Sequence, residues 1–411
     1  MLACVIALVF VILARDLVAQ DAPTSPARST PAVQAKPLKV FILAGQSNMQ
    51  GHAQISTFDS LADDPKTAPL LKEMRDEDGK PRVCERVWIS SVGCEGDAYS
   101  DLTEKKGRLT AGFGAPEDKI GPEFTFGITM EKLLDEPILI IKTSWGGRSL
   151  HTDFRPPSAG PYAWSEYELA QQKDRGHDLE KVKAEKVEQT GVYYREMIAH
   201  VQKVLGDIKR VVPSYDEKQG FELSGFVWFQ GFNDYVSGWT YDKQADPRGY
   251  GLYAELLGHL IRDVRRDLSA PKLPFVIGVM GIDGLKGDIN APMMHFREAQ
   301  RQPAALDEFK GNVFAVETAP FWDDELEALQ QRMESLWPKV DATVAEQMKE
   351  DPKADAWENK MKLMAENFTP EEWKRLKGVS NGGYHYLGAA KIIAPIGRAF
   401  AEALVGERTT K

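Results

Sequence analysis

Five apolar runs, each the length of a buried strand, recur along the chain at residues 39–44, 137–143, 224–230, 274–280 and 312–318. Runs of that length without polar alternation belong to strands covered on both faces. Amphipathic stretches at 124–134, 192–205, 253–268 and 295–302 precede the second to fifth runs, and 389–404 closes the core with a clean apolar stripe. The alternation predicts an α/β fold, a parallel sheet wrapped by helices on both faces with right-handed crossovers. Two segments exceed a minimal core. Residues 152–190 begin Pro- and Gly-rich and continue as a charged helix, and 323–377 is acidic, helical and carries Trp337, Trp357 and Trp373. Each reads as a lid, a pocket wall, a dimer contact or a plain surface layer; the oligomeric state stays open.

The 411 residues carry a formal net charge of -10, which repels phosphate backbones and argues against a nucleic-acid partner. Residues 2–14 are apolar, too few to span a bilayer comfortably, and Leu17-Val18-Ala19 offers a small-residue cleavage site. Residues 1–19 therefore read as a signal peptide, with a retained anchor as the alternative. Residues 20–37, rich in Pro, Ser, Thr and Ala, read as a disordered tether. The expected destination is the periplasm or the exterior. Cys4 leaves with the signal. Cys84 and Cys94 remain, either as a disulfide or as two buried thiols, and lack the spacing of a zinc site.

The first apolar run stops at Gly45-Gln46-Ser47-Asn48-Met49, which places a hydroxyl at the carboxyl edge of the sheet. Open α/β sheets bind their ligands at that edge. A serine there suits nucleophilic chemistry if a base reaches it. Of the seven histidines, His385, just before the last helix, is the best placed. The oxyanion of acyl transfer needs donors. Gly146 and Gly147 follow the second run and let backbone N–H groups approach a substrate. Asn233 follows the third run with a side-chain amide. Met49 stands where a Gly-x-Ser-x-Gly elbow needs its second glycine, which argues against an α/β-hydrolase. Residues 112–117 lack the third glycine of a dinucleotide loop, and no Walker A or His-Glu-x-x-His string occurs.

Gly45-Gln-Ser-Asn-Met49, Trp145-Gly-Gly147, Gly231-Phe-Asn-Asp234 and the late His385 together resemble the blocks of the SGNH (GDSL-like) hydrolases, and more narrowly the sialate O-acetylesterase-like carbohydrate esterases. Gly121-Pro-Glu-Phe-Thr-Phe126 is similar to a further segment of that branch. The resemblance runs from about residue 39 to 404. It implies a flavodoxin-like three-layer α/β/α sandwich with a parallel five-stranded sheet, and no metal or organic cofactor. The implied activity is removal of acetyl or other small acyl groups from a carbohydrate. Ser47 is then the nucleophile, His385 the general base, and the Ser47 N–H, a Gly146 or Gly147 N–H and the Asn233 amide the oxyanion hole. Gln46, Arg155 and Trp239 are candidate substrate contacts, and Glu123 is either a buried structural acceptor at a helix start or a substrate contact. One departure matters: the family usually has Asp three residues before the His, and this chain has Gly382. Three groups are open as the orienting partner of His385: a backbone carbonyl, an acid from elsewhere (Asp234, Asp323 or Asp324), or Asn381. The same departure leaves a catalytically weak carbohydrate-binding relative as the alternative reading, beside a lipid or thioester hydrolase on the same fold.

Overall fold

The computed structural model describes residues 36–94, 102–115, 118–238, 240–241, 249–287, 291–351 and 353–406. The expected signal and all but the last two residues of the tether lie outside them. Seven strands form the main sheet: β1 (Leu38–Gly45), β2 (Val87–Val92), β3 (Glu104–Arg108), β4 (Ile138–Ser144), β5 (Phe221–Phe229), β6 (Phe275–Val279) and β7 (Val313–Glu317). All five apolar runs are strands, but the expected five-stranded sheet has seven. Its order is β3–β2–β4–β1–β5–β6–β7, and only the β2–β3 pair is antiparallel.

The two additional strands escaped the apolar pattern for physical reasons. β2 carries Ser90 and Ser91 in its middle, both buried. Ser90 Oγ donates to Glu104 Oε1 at 2.6 Å and lies 3.0 Å from His200 Nε2, so a polar residue is satisfied inside the sheet. β3 is Glu-Lys-Lys-Gly-Arg on the sheet edge, where charge discourages further pairing.

The five expected strands alone run second, first, third, fourth, fifth. This doubly wound order has its switch point between β1 and β5. Gly45 pairs with Ser144 of β4 on one side and with Phe229 of β5 on the other. Three strand ends, and the turns that follow them, are thereby brought level at one edge.

The helices fall close to their predicted places: α1 (Pro122–Leu133), α2 (Val192–Gly206), α3 (Gly251–Asp267), α4 (Pro292–Ala305), α5 (Asp324–Glu350) and α6 (Ala390–Val405). α1 packs on α6 at close range. Gly397 permits this, because a Cβ there would run into the Pro122 carbonyl. Within 323–377, α5 and two shorter helices (Ala356–Ala365, Pro370–Leu376) enclose a cluster of their own, including Leu329, Val340, Val344 and Met364. Cys84 and Cys94 are free and buried. Burial, with Glu131 beside it, pushes the Cys84 thiol up to about 12.

Glu123 is fully buried at the start of α1, where it acts as a structural acceptor. Its Oε2 accepts from Lys142 Nζ at 2.8 Å and its Oε1 from the Gly121 N–H at 2.8 Å. Lys142, also fully buried, spends its other hydrogens on the Gln50 and Phe113 carbonyls, both at 2.7 Å. The pair ties α1 and β4 to the segment just after Ser47. Removing one member strands a buried charge, which costs about 3–5 kcal/mol. Lys142→Met is therefore expected to lower unfolding free energy by that order in a urea titration. Adding Glu123→Gln should recover part of the loss; full additivity of the two would contradict the coupling.

Candidate active site

Ser47 opens a one-turn helix, Ser47–Gln50, directly after β1. Gly45 is required at the strand end, since a Cβ there would strike the Phe229 carbonyl. The first amides of a helix have no intrahelical acceptor, so the Ser47 N–H faces outward. The helix packs against the turn Gly383–Gly388, which carries His385. Ser47 is 7% exposed and His385 half-buried, at the switch-point edge. Among the described residues no hydrogen bond joins Ser47 Oγ to His385.

The His385 Nδ1 faces the Asn381 Oδ1 at 3.0 Å. That oxygen also accepts the Gly382 N–H at 2.8 Å, which sets which way the amide points. An amide oxygen only accepts, so Nδ1 carries the hydrogen and Nε2 keeps its lone pair. Of the three open partners, Asn381 is the one that His385 Nδ1 contacts. The acids are elsewhere. Asp234 is engaged with His151; Asp323 caps α5 and binds Lys391 at 2.7 Å; Asp324 pairs with Lys286 at 2.9 Å.

The turn holding His385 is conformationally costly. Tyr386 and Leu387 both lie in the left-handed region, at φ 53° and 60°. Such residues cost on the order of 1–3 kcal/mol each and persist where the surroundings hold them. Both side chains are fully buried, and the Tyr386 hydroxyl accepts the Gly281 N–H at 2.8 Å and meets Thr318 Oγ1 at 2.7 Å. The ends of β6 and β7 thus anchor the turn.

Gln46 was a candidate substrate contact; the structure buries it. Its Nε2 donates to Asn233 Oδ1 at 2.8 Å, and its Oε1 accepts from Gln230 Nε2 at 3.1 Å, from the Gly231 N–H at 3.1 Å and from the Asn233 N–H at 3.3 Å. With its oxygen so occupied, the Asn233 amide has its NH2 left to offer. Gln46 is therefore a positioning residue. Gly146 is buried, whereas Gly147 is exposed at φ 70°, and neither N–H is spent on a hydrogen bond among the described residues.

Asp234 is fully buried and its carboxylate binds the adjacent turn. Oδ2 accepts the Leu150 N–H at 2.8 Å and Gln230 Nε2 at 2.6 Å. Oδ1 accepts the His151 N–H at 3.1 Å, His151 Nδ1 at 2.9 Å and the Tyr241 hydroxyl. Burial alone would raise its pKa, but the His151 hydrogen bond and its companions hold the carboxyl below the usual aspartate value. Arg155, another expected substrate contact, is likewise buried, with its guanidinium on the His151, Ala159 and Gly160 carbonyls. Trp239 lies outside the described residues.

Two histidines were missed as parts of this site. His151 sits six residues beyond Trp145, and only the folded chain reveals its partner. A loop residue five positions after Ser47, His52 would ordinarily face solvent. Its ring instead stacks flat on His385, 3.9 Å between centroids and 3° between planes. Both its nitrogens are buried without a hydrogen-bond partner among the described residues. Its spacing of five residues from Ser47 was the only available signal.

Three comparisons with known proteins bear on this chain. Residues 37–325 match the model of a carbohydrate esterase family described as sialic acid-specific acetylesterase. No protein of curated function matches. Among solved structures, NanS is similar at 13% identity and a TM-score of 0.44, over 92% of this chain and 99% of NanS. A carbohydrate acetylesterase from Xanthomonas citri is similar at 17% identity and a TM-score of 0.40, over 69% of this chain and half of that one. A protein from Arabidopsis thaliana is similar at 17% identity and a TM-score of 0.37, over 69% of this chain and 86% of that one.

Burial, then the charge of Lys119, lowers the His385 pKa to about 4; burial, then the charges of His385, Lys119 and Lys142, lowers that of His52 to about 3. Both rings are therefore neutral in the native state at neutral pH. In the unfolded chain a histidine binds its proton from about pH 6.5. Their contribution to stability is thus complete above that pH and is lost as pH falls towards the native values. Imidazole nitrogen NMR should find His385 as the Nδ1–H tautomer, unprotonated at pH 6. A His385 midpoint near 6.5 would contradict the burial.

Proposed function

The chain belongs to the carbohydrate esterase family of sialic acid-specific acetylesterases, and we propose that it hydrolyses acetyl or other small acyl esters of a sugar through Ser47 and His385. Family membership makes it a carboxylic ester hydrolase acting on carbohydrate. The observation that carries the mechanism is the contact of His385 Nδ1 with the Asn381 oxygen, on a turn packed against the Ser47 helix.

In this reading His385 Nε2 takes the Ser47 hydroxyl proton as Oγ attacks the ester carbonyl. The carbonyl oxygen becomes an oxyanion held by the Ser47 N–H, the Gly146 or Gly147 N–H and the Asn233 amide. The tetrahedral species collapses, and the departing sugar oxygen takes the proton from His385. Water then gives its proton to Nε2 and attacks the acyl-serine. Acetate leaves, and the proton returns to Ser47. Asn381 does the orienting work of the usual acid, without its charge. The imidazolium is thus less stabilised than in a triad, which fits a base of low pKa. The domain of this activity is taken as residues 38–406 on an SGNH-type sandwich. Export to the periplasm or exterior rests on the apolar residues 2–14 and the small-residue site at 17–19. No helix among the described residues is long and apolar enough to cross a membrane.

The test is acetate release from an acetylated glycoside. Ser47→Ala is expected to lower kcat by a factor of at least about 10³; undiminished turnover would end the proposal. A base of pKa about 4 keeps kcat/KM flat from neutral pH down to about pH 5, with its acid limb below. Asn381→Asp places a negative charge on Nδ1–H, favours the imidazolium and moves that limb upward. Asn381→Ala frees the ring to take the wrong tautomer and should cost on the order of 10²–10⁴ in kcat.

A further inference from the structure

The departing sugar oxygen takes its proton from His385 Nε2, so the sugar stands within about 3 Å of that atom. One face of the His385 ring is closed by His52. Against the same ring, 4.4 Å between centroids at 61°, stands Tyr384, whose side is open: the residue is 50% exposed. Its ring lies 6.0 Å from that of the half-buried Phe232, tilted by 36°. Tyr384 directly precedes His385 and Phe232 directly precedes Asn233. Two aromatic rings, one from each of the turns carrying the expected base and oxyanion amide, thus form a shelf beside the place where the leaving group departs.

We propose that Tyr384, with Phe232, is the platform for the leaving sugar. It takes the apolar C–H face of a pyranose while the acyl group enters between Ser47 and Asn233. Aromatic faces carry negative charge density, and the C–H bonds on one face of a sugar ring present the complement. The proposal rests on the esterase reading above. A further observation ties it to the missing acid. A Cβ added at Gly382 would lie 2.6 Å from a Tyr384 ring carbon. The tyrosine ring fills the space that a side chain at position 382 would enter. This chain therefore has a ring where its relatives usually begin an aspartate.

The experiment compares an acetylated methyl glycoside with ethyl acetate, which has an acyl group but no sugar ring. Tyr384→Ala is expected to lower kcat/KM on the glycoside by about tenfold more than on ethyl acetate, chiefly through KM. Tyr384→Phe, which keeps the aromatic face, should recover most of the glycoside kcat/KM that Tyr384→Ala loses, and Phe232→Ala should repeat the selective loss more weakly. Binding is measured separately by calorimetry in the Ser47→Ala background, where Tyr384→Ala should weaken the intact glycoside by about tenfold. Equal losses on both esters, with glycoside binding unchanged, would mean that the ring only steadies His385, and would overturn the platform while leaving the esterase standing. A wild-type enzyme that turns over neither ester, yet binds the glycoside through Tyr384, would overturn the esterase reading and keep the platform.

Discussion

A single buried carboxylate determines how the edge of this sheet is assembled. Asp234 has no contact with solvent and five donors converge on it, from the turn after β4, from Gln230 and from Tyr241. Charge-assisted hydrogen bonds of this kind are about twice as strong as neutral ones, and the low dielectric leaves them unscreened. Through Gln230 the network continues to Gln46, and through Gln46 to the amide of Asn233. The three turns that follow β1, β4 and β5 are thereby locked to one another by buried side-chain hydrogen bonds. What remains for the cleft is a set of unspent donors and the Ser47 hydroxyl.

His385 is held by a different economy. Two left-handed residues, fixed by the burial of Tyr386 and Leu387, bend the turn that carries the imidazole and packs against the Ser47 helix. Orientation comes from a neutral amide, the Asn381 oxygen, and from the flat stack on His52. A carboxylate would favour the charged ring; an amide and a second imidazole do not. The lowered pKa of both histidines follows from burial first, then from the charge of Lys119 on His385 and from the charges of His385, Lys119 and Lys142 on His52.

Much of this was legible in the order of residues. Five strands and the main helices declare themselves because parallel strands covered on both faces must be apolar throughout, and helices on a sheet must carry a stripe. Ser47, Gly146, Gly147, Asn233 and His385 were singled out because each follows an apolar run or precedes the last helix. What stayed hidden was the fate of buried polar groups. Ser90 and Ser91 broke the apolar signature of β2, although hydrogen bonds allow them inside. Gln46 and Arg155 were candidate substrate contacts, and Glu123 stayed open between ligand and structure, because a polar side chain near such a block looks the same whether it meets ligand or backbone. His151 and His52 have partners more than eighty and three hundred residues away, respectively, and no local spacing encodes them.

The two cysteines have a consequence for how this protein meets thiol reagents. Cys84 and Cys94 stand apart inside the core as thiols, and the former is held far from the thiolate that oxidants and alkylating agents attack. Among the described residues the core is held by packing without a disulfide. Reagents that attack thiolates therefore meet Cys84 only once that core has opened to solvent.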